Sequence, residues 1–278
     1  MFADDSNLFC EHKITSEFEE SMNNELSNVH TWLCANRLSL NIDKSNFVIF
    51  HPPQKNVQSL NFCLKINDKQ LKTEHCIKYL GIMIDSNLSW KKHVDCTVKK
   101  FGRSIGILCK IRHYVSQEIL VTLYYGLIYP CLIYGLIAWG NTYESTLNPI
   151  FISQRKAVRV MTFTSFDHHS SQLFKSLEIS KFSDPVTFVI ATFMYKFHNQ
   201  LLPSVFQSFF TKLDTVHSYN TRHSAKQSYY LPKARTNYGK FNIRFQGPKI
   251  WNAIDRDIKH LPISSFKVKL KQNFLQSY

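Results

Sequence analysis

The chain has 278 residues, 44% of them hydrophobic, with only 8 Gly and 9 Pro. That is ample apolar material for a core, and there is no low-complexity tract or solenoid-length repeat, which excludes a disordered or repeat protein. The net charge of +14 is unevenly spread: residues 1–50 carry 3 basic and 8 acidic groups, 51–110 carry 11 and 4, 111–210 carry 7 and 5, and 211–278 carry 13 and 3. An acidic start followed by two basic blocks points to a cation-holding part and then to surfaces that attract polyanions, with solvated basic faces as the ordinary alternative.

In chain order, the first feature is Asp4-Asp5, set between Met1-Phe2-Ala3 and the apolar Leu8-Phe9. Flanked in this way, the acidic pair is expected at the tip of a β-hairpin, where adjacent carboxylates are costly unless cations neutralise them. An exposed Asp-Asp turn is the plainer reading of the dipeptide alone. Residues 15–36 repeat apolar side chains at Phe18, Met22, Leu26, Val29, Trp32 and Leu33, the face of an amphipathic helix, with Ser16 and Glu19 as a capping box. Short strands are expected at Asn46–Phe50, Phe62–Ile66 and Ile77–Ile84.

After Leu88 the period becomes helical, with helices expected at 90–110, 116–139 (kinked at Pro130), 147–163, 184–199 and 203–211, and breaks at Asn141 and Pro149. Ile119 to Trp139 is free of charge over 21 residues. Pro130 and four tyrosines make buried core helices the better reading than a membrane span, and a membrane is not an expected partner. From His217 the chain is basic and aromatic, with a strand-like Phe241-Asn242-Ile243-Arg244-Phe245 and a closing helix from Ser264 to Gln276. Seven cysteines, at 10, 34, 63, 76, 96, 109 and 131, form no C-x-x-C pair. The expectation is a reducing, intracellular setting without structural zinc. Asp167-His168-His169 reads as a polar loop, and the N-terminus lacks a secretory signal.

Three segments in order carry a resemblance. Phe2-Ala3-Asp4-Asp5 resembles the (Y/F)-x-D-D signature of reverse transcriptases. Leu38-Ser39-Leu40-Asn41-Ile42-Asp43-Lys44-Ser45 with the strand after it resembles the family's N-x-x-K-(T/S) segment. Lys78-Tyr79-Leu80-Gly81-Ile82-Met83-Ile84-Asp85 is similar to the hairpin that grips the primer end. Further on, Tyr219-Asn220-Thr221-Arg222, Arg235-Thr236-Asn237-Tyr238-Gly239-Lys240 and Gly247-Pro248-Lys249-Ile250-Trp251-Asn252 look like the C-terminal segment of jockey-type and related LINE elements. The chain thus resembles the C-terminal part of a non-LTR retrotransposon reverse transcriptase.

The resemblance implies an α+β fold: a small palm-remnant sheet with a helix (1–86), a mostly helical thumb-like bundle (87–165), a helical connector (166–216) and a small basic C-terminal module (217–278). It implies Asp4 and Asp5 as Mg²⁺ carboxylates, Lys44 as the lysine that assists the leaving group, and Tyr79, Leu80 and Gly81 as the primer grip. Lys44 equally suits a solvated lysine at a strand start, Leu80 a hairpin core residue, and Gly81 a position of close backbone approach or a bulge.

The same resemblance assigns Lys91, Lys92, Lys99, Lys100 and Arg103, with Lys110 and Arg112, to phosphates of an RNA template and DNA primer. Arg222, Lys226, Lys233, Arg235, Lys240, Arg244 and Lys249 alternate with aromatics, a pattern suited to single strands. Among those aromatics Tyr229, Tyr230 and Tyr238 are the stacking candidates, whereas Phe241, Phe245 and Trp251 are expected in a small core. The family's third aspartate and its nucleotide-holding fingers are not found, since Asp4 stands three residues from Met1. The expectation is a truncated polymerase, inactive alone, in which Met1 is an internal methionine or the start of a degraded copy. The alternative is a non-catalytic nucleic-acid-binding module derived from such an element.

Overall fold

The computed structural model describes residues 6–11, 15–54, 62–67, 69–165, 170–216 and 228–276, which fall into two compact units, residues 1–89 and 90–278. In the first unit, helix α1 (Thr15–Ala35) turns Met22, Leu26 and Leu33 inward. Three two-stranded ladders accompany it. β1 (Asn46–Phe47) runs parallel to β4 (Lys72–Thr73), β2 (Lys65–Ile66) pairs with β3 (Lys69–Gln70), and β5 (Cys76–Tyr79) pairs with β6 (Ile82–Asp85). Leu26, Leu64, Ile66 and Leu71 form the core, with Leu40, Ile42 and Phe47 at its margin.

The side chain of Asn23 ties α1 to the start of β2: its amide donates to the Cys63 carbonyl at 3.2 Å and its oxygen accepts from Lys65 N–H at 2.9 Å. Trp32 is 52% exposed, because it lies about 100° round the helix from buried Leu33. The apolar face is therefore narrower than the sequence pattern implied. The Ser16–Glu19 box falls on a side chain outside the described residues.

The second unit is helical: α2 (Lys91–Ile111), α3 (Gln117–Leu127), α4 (Tyr129–Ile133), α5 (Leu136–Trp139), α6 (Glu144–Met161), α7 (Ser170–Ser176), α8 (Ser183–His198), α9 (Leu213–Val216), α10 (Asn237–Phe241), α11 (Ile243–Ala253), α12 (Arg256–Lys259) and α13 (Ile263–Gln276). α2 packs along α6, while α8 packs on α11 and α13. Phe101, Leu108, Tyr124, Trp139, Ile190 and Phe266 have no exposed surface. Within this core the fully buried Gln154 donates to Tyr124 Oη and to the Ser180 carbonyl, both at 2.9 Å. Burial pushes the Tyr124 hydroxyl's pKa up.

Mixed helix and strand bear out the α+β expectation, and several elements depart from the sequence reading. The 46–50 strand is only Asn46–Phe47 and the 62–66 strand only Lys65–Ile66, since paired backbone ends there. The uncharged 119–139 stretch is cut into three helices, by Pro130 in the first turn of α4 and by Gly135 at φ 61°. Among the described residues no helix is long and apolar enough to cross a membrane. Pro149 does not break its helix: α6 begins earlier, at Glu144, and the hydrogen bond Pro149 cannot donate would have gone to exposed Ser145 in the first turn.

Of the 203–211 helix only a 3₁₀ turn at Ser204–Phe206 forms. The strand-like 241–245 is helical, because the Asn242 side chain accepts from Arg244 N–H at 2.9 Å and starts α11. Asp167-His168-His169 lies outside the described residues. The expected boundaries at 165 and 216 both fall within the second unit.

Candidate nucleic-acid interface

Around Lys44 the chain makes one 3₁₀ turn, Ile42–Lys44. Asn41 Oδ1 accepts from Lys44 N–H at 3.3 Å, and Ser45 Oγ donates to the Asn41 carbonyl at 3.0 Å. The Asn and Ser of the N-x-x-K-S segment thus hold the backbone in a turn that leaves Lys44 exposed just before β1.

The β5–β6 hairpin turns through Leu80 and Gly81, at φ 45° and 82°. Two successive positive φ values make a type I′ connection, whose twist matches that of the flanking strands. Gly81 meets the requirement at no steric cost, so its place follows from the turn and not from a bulge. Leu80 is not the core residue the sequence allowed. It stands 44% exposed at the tip, in a backbone conformation that costs a branched side chain about 1–2 kcal/mol. Tyr79 is half-buried and meets Phe9 edge-on, with ring centroids 5.9 Å apart. At the end of β6, buried Asp85 accepts from Ser89 N–H at 2.8 Å, a local tie absent from the sequence reading.

Asp4 and Asp5 lie outside the described residues. The strand expected just after them does not form, since residues 6–11 are exposed and irregular and no strand pairs with them among the described residues. Phe9, four residues beyond Asp5, is nevertheless the ring that touches Tyr79. Among the described residues no three His, Cys, Asp or Glu side chains form a group able to hold a metal ion. None of the seven cysteines is in a disulfide.

α2 divides sharply between two faces. His93, Val94, Thr97, Phe101, Ile105 and Leu108 are buried, whereas Lys91, Lys92, Lys99, Lys100, Arg103 and Lys110 are exposed. At about 100° per residue, Lys92, Lys99, Arg103 and Lys110 fall in one row opposite the buried face, extending roughly 27 Å. Gly102 and Gly106 lie beside that row, and nothing stands within 4 Å of where a Cβ would project from either. Arg112 leaves the row. Its guanidinium sits 5.2 Å over the Phe163 ring and donates through Nε to His113 Nε2 at 3.2 Å. On the inner face, burial and then the Lys100 ammonium lower the pKa of His93, whose ring meets Trp139 edge-on at 5.0 Å.

In the C-terminal block Lys233, Arg235, Lys240, Arg244 and Lys249 are exposed, while Arg222 and Lys226 lie outside the described residues. Tyr230 and Tyr238 are exposed as expected of stacking candidates. Tyr229 is not, at 1% exposure: its backbone N–H and carbonyl are clamped by the Asn252 amide at 2.9 and 2.8 Å, a side-chain imitation of strand pairing. Trp251 is fully buried, and Phe241 is half-buried against Tyr143. At Gly247 a Cβ would come within 2.7 Å of Met194 Sδ and 3.0 Å of the Phe210 ring, so only glycine lets α11 settle on α8. The G-P-K-I-W-N motif is therefore a packing element, with Lys249 its outward residue.

Over 134 residues the chain is 25% identical to the RNA-directed DNA polymerase from mobile element jockey of Drosophila melanogaster, covering 47% of this chain and 15% of that protein. It is 23% identical over 205 residues to the jockey polymerase of Drosophila funebris, covering 72% and 21%. A probable RNA-directed DNA polymerase from transposon BS of Drosophila melanogaster is 21% identical over 192 residues, covering 67% and 21%. The chain spans about a fifth or less of the length of these relatives. No protein-family model matches the chain, and no solved structure gives a significant match. The relatives are polymerases of non-LTR retrotransposons, so the resemblance first read from the three ordered motifs holds, and the comparisons do not favour a non-catalytic module.

Proposed function

We propose that this chain supplies the template-primer-holding part of a non-LTR reverse transcriptase, with α2 laid against an RNA–DNA duplex. The observation that carries the reading is the division of α2 into a buried apolar face and an open row of cations flanked by two glycines. Cations at Lys92, Lys99, Arg103 and Lys110 match phosphates without reading sequence, as a polymerase that copies any template requires. Lys91 and Lys100 widen the row, and the exposed cations at Lys233, Arg235, Lys240, Arg244 and Lys249 offer further phosphate contacts in the C-terminal module, to which Arg222 also belongs in sequence.

In the palm remnant, Tyr79, Leu80 and Gly81 position the primer end. An exposed leucine held at positive φ is a strained feature of the kind that marks ligand-gripping turns. Bound Mg²⁺ supplies charge neutralisation for the attacking 3′-hydroxyl and the departing pyrophosphate. Of this chain's residues, Asp4 and Asp5 would hold it, and Lys44 would hand a proton to the leaving group. The family's chemistry uses three aspartates and the motif here provides two, so the 278-residue polypeptide alone is expected to show no primer extension.

Filter binding with an RNA–DNA hybrid, repeated from low to moderate salt, tests the reading. Tight binding that weakens steeply with salt is expected. An absence of binding even at low salt would remove the duplex from the proposal.

A further inference from the structure

Between the end of α8 and the start of α9 lies an open cavity of about 390 Å³, within the range of small-ligand sites, about 300–1,000 Å³. Its walls are rings: Phe206, Phe210 and Tyr229 line it, and Phe210 meets Phe197 edge-on at 4.8 Å and Tyr229 at 6.2 Å. Its polar lining includes Gln200, Gln207 and Lys212, and among the described residues no carboxylate borders it. His198 also borders it, but as part of the wall. Its Nδ1 is 3.0 Å from Tyr229 Oη and its ring is tilted against Trp251 at 5.2 Å.

Charge extends beyond the cavity itself. Arg244 lies 4.7 Å over the ring of Phe209, which meets Phe206 edge-on at 5.0 Å, so cations flank the aromatic cluster at Lys212 and at Arg244. A second cavity of the same volume, near the starts of α6 and α8, carries both Glu144 and Arg155 and offers a polyanion no such welcome.

We propose that the cavity beside Lys212 takes one unstacked base of a single-stranded nucleic acid. The base packs against the half-buried rings of Phe197 and Phe206, over a floor that Phe210 and Tyr229 close from below; the Gln200 and Gln207 amides address its hydrogen-bonding edge, and Lys212 and Arg244 hold the flanking phosphates. An aromatic lining accepts any base, and the paired amides, each both donor and acceptor, can meet different edges. Arg244 and Tyr229 were candidates on sequence grounds; the others are brought together by the fold. The site shares Arg244 with the phosphate contacts proposed for the C-terminal module but no residue with the row on α2, so it and that row are tested separately.

The test uses the full chain and fluorescence anisotropy with three single strands of about 12 nucleotides: RNA, DNA of the same sequence, and an abasic sugar-phosphate strand of equal length and charge. The base-bearing strands are expected to bind about ten-fold more tightly than the abasic one. Gln207→Glu, at an exposed position that does not endanger the fold, and Phe206→Leu, which keeps apolar volume without a ring, are expected to remove most of that advantage. Phe206→Leu should leave abasic and RNA–DNA duplex binding unchanged, whereas the charge added by Gln207→Glu should weaken both by a similar factor. A preference for RNA over DNA would add the ribose hydroxyl to what is read. Equal affinity for base-bearing and abasic strands, or variants that leave the advantage intact, would overturn the proposal.

Discussion

α2 and the block from Ser228 to Ala253 are both basic stretches interleaved with apolar residues, yet the fold uses them in opposite ways. On α2 the cations stand clear along one face and the apolar residues are buried on the other. In the later block one of the three stacking candidates, Tyr229, turns inward, and the G-P-K-I-W-N motif packs. Tyr229 and Trp251 are buried, Gly247 is the point of contact with α8, and Asn252 is spent on the Tyr229 backbone. A motif with strong lineage identity can therefore be a packing motif, while a plain row of lysines with one arginine stands open on α2.

The strongest way to break this comparison is at Trp251. Its replacement by alanine is expected to cost about 3–5 kcal/mol in urea unfolding while leaving RNA–DNA affinity per folded molecule unchanged. A variant of near-native stability would contradict a packing role. Next in size, Gly102→Ala and Gly106→Ala are each expected to raise stability by about 1 kcal/mol, since both positions are helical and open. A loss of stability would show that the glycines serve the fold and not an open face.

At the hairpin, Leu80→Asn should stabilise by up to about 1 kcal/mol, because Asn tolerates the first position of a type I′ turn. If thermal unfolding shows a loss instead, the leucine side chain is holding the unit together. The smallest effect concerns pH. His93 resists protonation when folded and titrates near its ordinary 6.5 when unfolded, so the unfolded state binds more protons below that value. The urea midpoint should therefore fall as pH drops from neutrality through about 6.5, and His93→Gln should flatten the dependence. An unchanged profile in that variant would remove His93 as its cause.

The helices were the most legible part of the sequence, because a buried stripe every three or four residues survives any detail of packing. α2, α8 and α13 lie within a residue of their expected limits. Helix ends were harder to read. Arg37, Phe163, Glu178 and Gln200, all at positive φ, follow the ends of α1, α6, α7 and α8, where glycine is the usual signal. Backbone bonds spanning five residues, such as Leu38 N–H to the Leu33 carbonyl at 2.9 Å and Leu201 N–H to Lys196 at 2.8 Å, override the local preference.

Strand lengths were overestimated because β-branched runs such as Val48-Ile49 signal burial as well as pairing. On α2, helical spacing was enough to set the cations opposite the apolar face, while their assignment to phosphates came from the resemblance. The fates of Tyr229 and Arg112 were not legible, since each depends on a distant partner, Asn252 or Phe163.

On the proposed reading, the row on α2 neutralises duplex phosphates. Its most direct test is the salt dependence of RNA–DNA hybrid binding by the wild-type chain and by a variant with Lys92, Lys99, Arg103 and Lys110 all changed to Glu. The slope of log affinity against log salt should become shallower by about 3–4 in the variant, roughly 0.9 per lost phosphate contact, with unfolding stability unchanged within about 0.5 kcal/mol. Parallel slopes for the two proteins would contradict the claim.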